Sequence, residues 1–153
     1  MQIATSYFYQ IRHFTPNMIP VSTCLSDPVW YRPPADKEYY IDKNGVVNGL
    51  RYEPLIVQKE GNHTCPCEEK EILKGNCPCM QEYSNLLHSL VDKEKTLKAF
   101  QYCADKFSKE LQLTTEPVIV LIVYETENNF CSERKALQEF FNCKELKYPI
   151  SGK

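Results

Sequence analysis

The residues of this sequence best suited to metal chemistry are four cysteines that lie close together. Cys65, Cys67, Cys77 and Cys79 form two Cys-Pro-Cys pairs with nine residues between them, and His63 stands just before the first pair. Four thiolates in a tetrahedron are the usual ligands of a structural zinc ion, and they leave no open position for a catalytic water. We therefore predict a structural zinc site within residues 61–80, held by the four cysteines or by three of them with His63.

Reduced or redox-active thiols are the alternative for the same residues. A single proline between the paired cysteines is shorter than the common zinc-ribbon spacing, and it also differs from the two-residue spacing of thioredoxin-type motifs. The first residues, MQIATSYFYQIRHF, carry no secretory signal, so we expect a cytosolic protein whose eight cysteines stay reduced. In that compartment metal binding, catalysis or burial is favoured over a disulfide framework.

A second candidate site lies where a strongly apolar run ends. Residues 118–124 (VIVLIVY) predict a strand buried on both faces, and a polar loop leads from there to Cys131 and the start of a helix. Ligands of open α/β sheets bind beyond the carboxyl ends of the strands, where Glu125, Cys131 and Arg134 would lie. Glu125 can act there as an acid or base, Cys131 as a nucleophile or a buried packing residue, and Arg134 as an anion contact.

The first half of the chain predicts short elements that would position these residues. Residues 2–6 and 19–24 are compact, partly β-branched runs typical of strands, and residues 7–14 between them allow a turn or two of helix. A hairpin is predicted around the Lys43-Asn44-Gly45 turn, and residues 55–57 are predicted as a further strand. The loop at residues 26–34 holds three prolines and the only tryptophan. Its Trp30 and Tyr31 would either cover a ligand or fill the edge of the core.

Three helices are predicted in the second half of the chain, because apolar residues recur there at three- and four-residue steps. Asp92 is a suitable N-cap for the second helix, which ends before Pro117. The inward-facing residues are Met80, Tyr83, Leu87 and Leu90 in the first helix, Leu97, Phe100, Ala104, Phe107 and Leu111 in the second, and Ala136, Leu137, Phe140 and Phe141 in the third.

The order of these elements predicts one α/β domain over residues 1–153. With 42% hydrophobic and 25% charged residues, the chain has the composition of a globular protein. We expect a small Rossmann-like, mainly parallel sheet flanked by helices, with the Cys-rich segment as a metal-tied insertion. No apolar run approaches the ~20 residues of a membrane helix, so we expect no membrane segment.

Both ends of the sequence carry motifs that occur together in one known family. An apolar strand ends in Tyr124-Glu125, and a short loop then leads to Cys131, with Ser132 and Glu133 after it. Residues 3–7 (IATSY) and 19–22 (IPVS), followed by Trp30, resemble two opening strands. This pattern is similar to the domain of unknown function 488 family of small bacterial and phage proteins, whose C-terminal motif is Tyr-Glu, a few residues and Cys-His-Arg. The resemblance implies a Rossmann-like fold with a pocket at the strand ends, and Ser132 and Glu133 replace the family's His and Arg.

Two functions of different class fit these features. The first is an enzyme-like α/β domain that binds or acts on a nucleotide- or nucleoside-like small molecule. The residues expected to line its site are Thr5, Ser6, Tyr7, Trp30, Tyr124 and Arg134. No glycine-rich phosphate loop is present, because the five glycines are scattered along the chain.

The alternative is a non-catalytic inhibitor or ligand-sequestering protein of phage type, which the departures at Ser132 and Glu133 favour. A weaker alternative is a zinc-stabilised module that contacts another protein. Nucleic acid is the less expected partner, since a formal net charge of −2 provides no basic field that would neutralise phosphates. The sequence does not determine the oligomeric state.

Overall fold

The protein folds as a parallel sheet with helices packed on one face. The computed structural model describes residues 1–56, 78–124 and 133–147, with the backbone alone for 78–80. Within these ranges the strands are β1 Gln2–Tyr7, β2 Met18–Ser22, β3 Tyr40–Ile41, β4 Val47–Asn48, β5 Val118–Val123 and β6 Lys144–Glu145. The α-helices are α1 Pro78–Leu90, α2 Lys93–Glu110 and α3 Glu133–Phe141, and shorter 3-10 helices span Phe8–His13, Val29–Tyr31 and Glu53–Leu55.

The main sheet has four strands in the order β2-β5-β1-β6, and every neighbouring pair is parallel. In the centre, Val118 of β5 lies opposite Gln2 of β1 on one side and Met18 of β2 on the other. All six residues of β5 are buried, as expected of a strand covered on both faces. The prediction of an α/β protein with a mainly parallel sheet flanked by helices is therefore confirmed. So is the predicted hairpin, in which β3 and β4 pair antiparallel.

The two faces of the sheet are covered differently. Because neighbouring residues of a strand point to opposite faces, Ile119 and Leu121 of β5 belong to one core and Val120 and Ile122 to the other. The first core is formed with the three α-helices. The second is covered by the 3-10 helix Phe8–His13, by Tyr31 and by Val46 of the hairpin. Among the described residues, a thin layer of short segments, rather than a long helix, thus covers the second side.

The α-helices follow the predicted periodicity closely. The Asp92 side chain accepts a hydrogen bond from the Lys95 backbone amide at 3.0 Å, which confirms the predicted N-cap of α2. All four residues expected to face inward from α3 are buried. Leu90, the last residue of α1, is 67% exposed and does not share the buried position of Tyr83 and Leu87.

Two short elements differ from the sequence prediction. The strand predicted at residues 55–57 is wrong for Leu55, which ends a 3-10 helix that contains Pro54. Proline has no amide proton for a strand ladder but fits the first turn of a helix. Strand β6 was not predicted, because two polar residues give no apolar alternation, and it pairs with Ala4 and Thr5 of β1.

Three cysteines with described side chains form no disulfide: Cys24, Cys103 and Cys143. Burial raises the pKa of Cys103 and of Cys143 to about 11, so both thiols stay protonated at neutral pH. They act as small packing residues beside the helical core rather than as nucleophiles. In the parts of the chain that the structure describes, no helix is both long and apolar enough to cross a membrane.

Candidate functional site

The chain connections diverge at the carboxyl ends of β1 and β5. From β1 the chain passes through the 3-10 helix Phe8–His13 to β2, which lies beyond β5 on one side. From β5 it passes through α3 to β6, which lies beyond β1 on the other side. The two connections lie on opposite faces of the sheet. In open α/β sheets, the place where neighbouring strands lead away in opposite directions is where ligands bind.

A cluster of aromatic rings occupies this place. Phe8 directly follows β1 and is buried, and its ring meets those of Trp30, Tyr31 and Tyr124 edge to face at centroid distances of 6.2, 5.2 and 5.1 Å. Trp30 is 50% exposed and Tyr124 is 52% exposed, whereas Tyr31 is completely buried. Of the two roles predicted for the proline-rich loop, filling the edge of the core is confirmed for Tyr31, and covering a ligand stays a prediction for the exposed Trp30.

A cavity of about 530 Å³ adjoins this cluster, between the 3-10 helix Phe8–His13 and the β3–β4 hairpin. Its size falls in the usual range for small-molecule sites. It is lined by Phe8, Tyr9, Ile11 and Arg12 from the 3-10 helix, by Trp30, and by Tyr40, Asp42, Lys43, Asn44 and Asn48 from the hairpin. Aromatic rings, amides and charged groups therefore surround one space that begins at the end of β1.

Hydrogen bonds tie the walls of the cavity to one another. The Tyr40 hydroxyl donates to the backbone carbonyl of Trp30, which joins the hairpin to the proline-rich loop. The Asn44 side-chain amide donates to the backbone carbonyl of Arg12 at 3.4 Å, which joins the hairpin to the 3-10 helix. Burial, followed by the charge of Asp42, raises the pKa of Tyr40, so its hydroxyl keeps its proton at neutral pH.

A second set of polar contacts holds the loop that carries Trp30. Asp27 is buried, and its carboxylate accepts a short hydrogen bond from the Ser22 hydroxyl. The other carboxylate oxygen lies 2.8 Å from Nη1 of Arg51. The Asp27 carbonyl accepts from Nε of Arg32 at 3.0 Å. These contacts fix the loop at the carboxyl end of β2, three residues before Trp30.

The comparisons with known proteins found no match, so the function is inferred from the side chains that line the cavity. Neither the protein-family models, nor the curated proteins, nor the solved structures contain a match to this chain. Exposed aromatic faces can stack against planar rings, side-chain amides can bind the edges of heterocycles, and arginine and lysine can bind anions. All three kinds of group line the cavity.

Of the residues predicted to line a strand-end pocket, the structure brings two to the aromatic cluster. Trp30 and Tyr124 both contact Phe8, and Trp30 also lines the cavity. Burial, with smaller contributions from Cys24 and Asp27, raises the pKa of Tyr124, which makes its hydroxyl a hydrogen-bond donor at neutral pH. Tyr7 is half-buried, and its hydroxyl accepts a hydrogen bond from Gln10 at 2.7 Å.

Thr5, Ser6 and Arg134 lie elsewhere, in the interior. Ser6 is completely buried in β1, and Thr5 donates to Glu145 at 2.7 Å and accepts from Gln138 at 2.8 Å. Arg134 is 5% exposed, and its Nε lies 2.8 Å from the same oxygen of Glu145. None of the three lines the cavity, and the network joins β1 to β6 and α3. Arg134, predicted as an anion contact of the ligand, instead forms an ion pair with Glu145 in which the guanidinium is buried.

The remaining predicted residues lie outside the described part of the chain. They are Glu125 and Cys131 beyond β5, and His63, Cys65, Cys67 and Cys77 before α1, while Cys79 lies in α1 with no described side chain. Among the described residues, no three His, Cys, Asp or Glu side chains lie close enough together to hold a metal ion. The predicted zinc site is therefore neither supported nor contradicted by the described residues.

The sequence reasoning missed most of the cavity. Tyr9 and Arg12 follow β1 in the run Tyr-Phe-Tyr-Gln-Ile-Arg, and the density of aromatic residues directly after a strand was the available signal. The sequence patterns at Tyr40 and Lys43 predict only a hairpin. Their place beside Trp30 depends on how the hairpin packs over the second face of the sheet, which local sequence patterns do not specify.

Proposed function

We propose that this protein binds a small molecule of nucleoside or nucleotide type in the cavity between the 3-10 helix Phe8–His13 and the β3–β4 hairpin. The observation that carries the proposal is the lining itself, in which the rings of Trp30 and Tyr40 stand beside the amides of Asn44 and Asn48 at the end of a central strand. Stacking of a base on an aromatic side chain contributes about 1–3 kcal/mol, and the exposed side chain of Asn44 can hydrogen-bond its edge. Asn48 is buried and its amide donates to Asp42 and to the Val46 carbonyl, so it supports the wall of the cavity.

The proposal also covers the type of α/β fold, the Cys-rich insertion and the cellular location. We infer a Rossmann-like fold with a Cys-rich insertion, as the resemblance to the domain of unknown function 488 family implies, and we propose a cytoplasmic location. The divergence of the chain connections at β1 and β5 supports a ligand site of the doubly wound type. The location is supported by Cys24, Cys103 and Cys143, which form no disulfide, as expected in a reducing compartment.

Ligand binding can be measured directly, because Trp30 is the only tryptophan of the chain and lines the cavity. Titration with the four common ribonucleosides and their monophosphates should produce a saturable change in tryptophan fluorescence for at least one of them. By calorimetry, Trp30→Ala should lower the affinity for that ligand at least about tenfold, since one stacking contact is lost. Tyr102→Ala is the matched control, because Tyr102 is a 73% exposed aromatic residue on α2. Equal losses in both variants, or binding of no compound in the panel, would contradict the proposal.

A structural zinc ion held by Cys65, Cys67, Cys77 and Cys79, or with His63 in place of one of them, is proposed separately. Its support is the chemistry of four thiolates within one short segment. Elemental analysis of protein purified under reducing conditions should give one zinc ion per chain, and Cys65→Ser or Cys77→Ser should lower that ratio. Cys103→Ser should retain the zinc, because Cys103 is a half-buried thiol of α2 outside the Cys-rich segment. A ratio near zero in the parent protein would exclude the site.

A non-catalytic inhibitor or sequestering protein is the second candidate function. It is favoured by the large apolar side chains that the segments after β2 and β5 expose, namely Leu25, Val29, Trp30 and Tyr124. Product analysis separates the two functions once a ligand is known. Turnover that Glu125→Ala or Cys131→Ala abolishes would support an enzyme, whereas recovery of the ligand unchanged would support sequestration.

A further inference from the structure

The contacts among the cavity residues divide the lining into two groups. An aromatic group consists of Phe8, Trp30 and Tyr40, joined by the ring contact between the first two and by the hydrogen bond from Tyr40 to the Trp30 carbonyl. A cationic group consists of Arg12 and Lys43, joined through Asn44, which follows Lys43 and donates to the carbonyl of Arg12. A ligand that contacts both groups needs a ring at one end and a negative charge at the other.

The guanidinium of Arg12 is held in place before any ligand binds. Its central carbon lies 3.8 Å from the centre of the Tyr9 ring, and Nη2 donates to the Tyr9 hydroxyl. Nε donates to Nε2 of His13 at 3.3 Å. A stacked guanidinium loses less side-chain entropy when it binds an anion than a freely rotating one does.

Lys43 stands on a turn whose backbone is equally well fixed. The Asp42 carboxylate accepts hydrogen bonds from the backbone amides of Asn44 at 2.8 Å and Val46 at 3.1 Å. Gly45 has a φ of +80°, and a β-carbon there would lie 3.1 Å from Pro16, so the turn requires glycine at this position. Lys43, which is exposed and lines the cavity, therefore extends from a backbone of fixed position.

Asp42 also lines the cavity, but both of its carboxylate oxygens accept hydrogen bonds from other residues of the hairpin. Besides the two backbone amides, its second oxygen accepts from the side-chain amide of Asn48 at 2.9 Å. These three hydrogen bonds stabilise the carboxylate charge within the hairpin. The charged residues of the lining are thus two cations, Arg12 and Lys43, and one carboxylate. The balance of charge in the cavity therefore favours an anion.

We propose that the cavity selects the phosphorylated form of its ligand, with the phosphate held by Arg12 and Lys43 and the ring stacked on the aromatic group. This inference rests on the proposed function, because it specifies the chemical class of the same ligand. Nucleoside monophosphates should bind at least about tenfold more tightly than the matching nucleosides, as expected when charge-assisted hydrogen bonds are added. Added salt should weaken monophosphate binding and leave nucleoside binding nearly unchanged.

Calorimetric titration of adenosine and adenosine monophosphate, with the guanosine, cytidine and uridine pairs alongside, tests this selection. Arg12→Gln and Lys43→Ala should each lower the affinity for the monophosphate about tenfold and change that for the nucleoside less than about twofold. Lys109→Ala removes the same charge from an exposed position in the last turn of α2 and should leave both affinities unchanged.

The outcomes separate this inference from the proposed function. Nucleosides that bind as tightly as their monophosphates would overturn the phosphate selection and leave the proposed function standing. The phosphate selection would also be overturned, with the proposed function left standing, if Lys109→Ala weakens monophosphate binding as much as Lys43→Ala does. Failure of every nucleoside and monophosphate to bind would overturn both.

Discussion

Replacement of Phe8 by alanine should lower the free energy of unfolding by about 3–5 kcal/mol and reduce ligand binding below detection. Phe8 is 4% exposed, and its ring is the common partner of Trp30, Tyr31 and Tyr124. Its removal leaves a hole directly beneath the cavity, and the exposed rings of Trp30 and Tyr124 lose the surface that orients them. Urea unfolding and calorimetric titration of the same samples measure the two effects.

The matched control for this variant is Phe100→Ala. Phe100 is 2% exposed and packs in the helical core against Tyr52 and Phe141, on the other face of the sheet. It should cost a similar free energy and leave the ligand affinity nearly unchanged. Phe8→Leu provides a milder test, because it retains most of the volume and should cost only about 1 kcal/mol. Equal ligand affinities in Phe8→Leu, Phe100→Ala and the parent protein would show that the Phe8 ring does not organise the site.

Local pattern was enough to predict the main elements of the fold. The uninterrupted apolar run of β5 requires burial on both faces, and only a central parallel strand provides it. The three- and four-residue spacing in α2 and the Asp92 cap likewise depend on neighbours in sequence. Strand β6 could not be predicted in this way, because Lys144 and Glu145 are a strand only through their pairing with β1.

The candidate site was less accessible to sequence reasoning, because it is assembled from three separated segments. Arg12, Trp30 and Lys43 come together only after β1 and β2 have paired with β5 and the hairpin has packed over the second core. Arg134 illustrates the opposite error. Its position one turn into a helix at the strand ends predicts a contact with an anionic ligand, but the partly buried carboxylate of Glu145 on the unpredicted β6 is its partner.

The loop that carries Trp30 depends on one buried ion pair, and Asp27→Ala should lower the free energy of unfolding by about 3 kcal/mol. The side chain of Asp27 is 5% exposed and that of Arg51 is 27% exposed, so the alanine variant leaves a partly buried guanidinium without its nearest carboxylate. Ser22 loses its acceptor at the same time. Because Trp30 lies three residues beyond Asp27, the affinity for the ligand should fall together with the stability.

A double-mutant cycle of Asp27→Ala and Arg51→Ala isolates the pair, with a coupling free energy of about 1–3 kcal/mol expected from chemical denaturation. Glu53→Ala is the control, since Glu53 is also an ion-pair partner of Arg51 but its side chain is 73% exposed. That exposed pair should contribute about 0.5 kcal/mol or less. If removal of Glu53 costs as much as removal of Asp27, or if the cycle shows no coupling, the loop is held by its backbone hydrogen bonds and prolines instead. A strong coupling, together with weaker ligand binding in the Asp27→Ala variant, would show that the ion pair at the end of β2 positions Trp30 over the cavity.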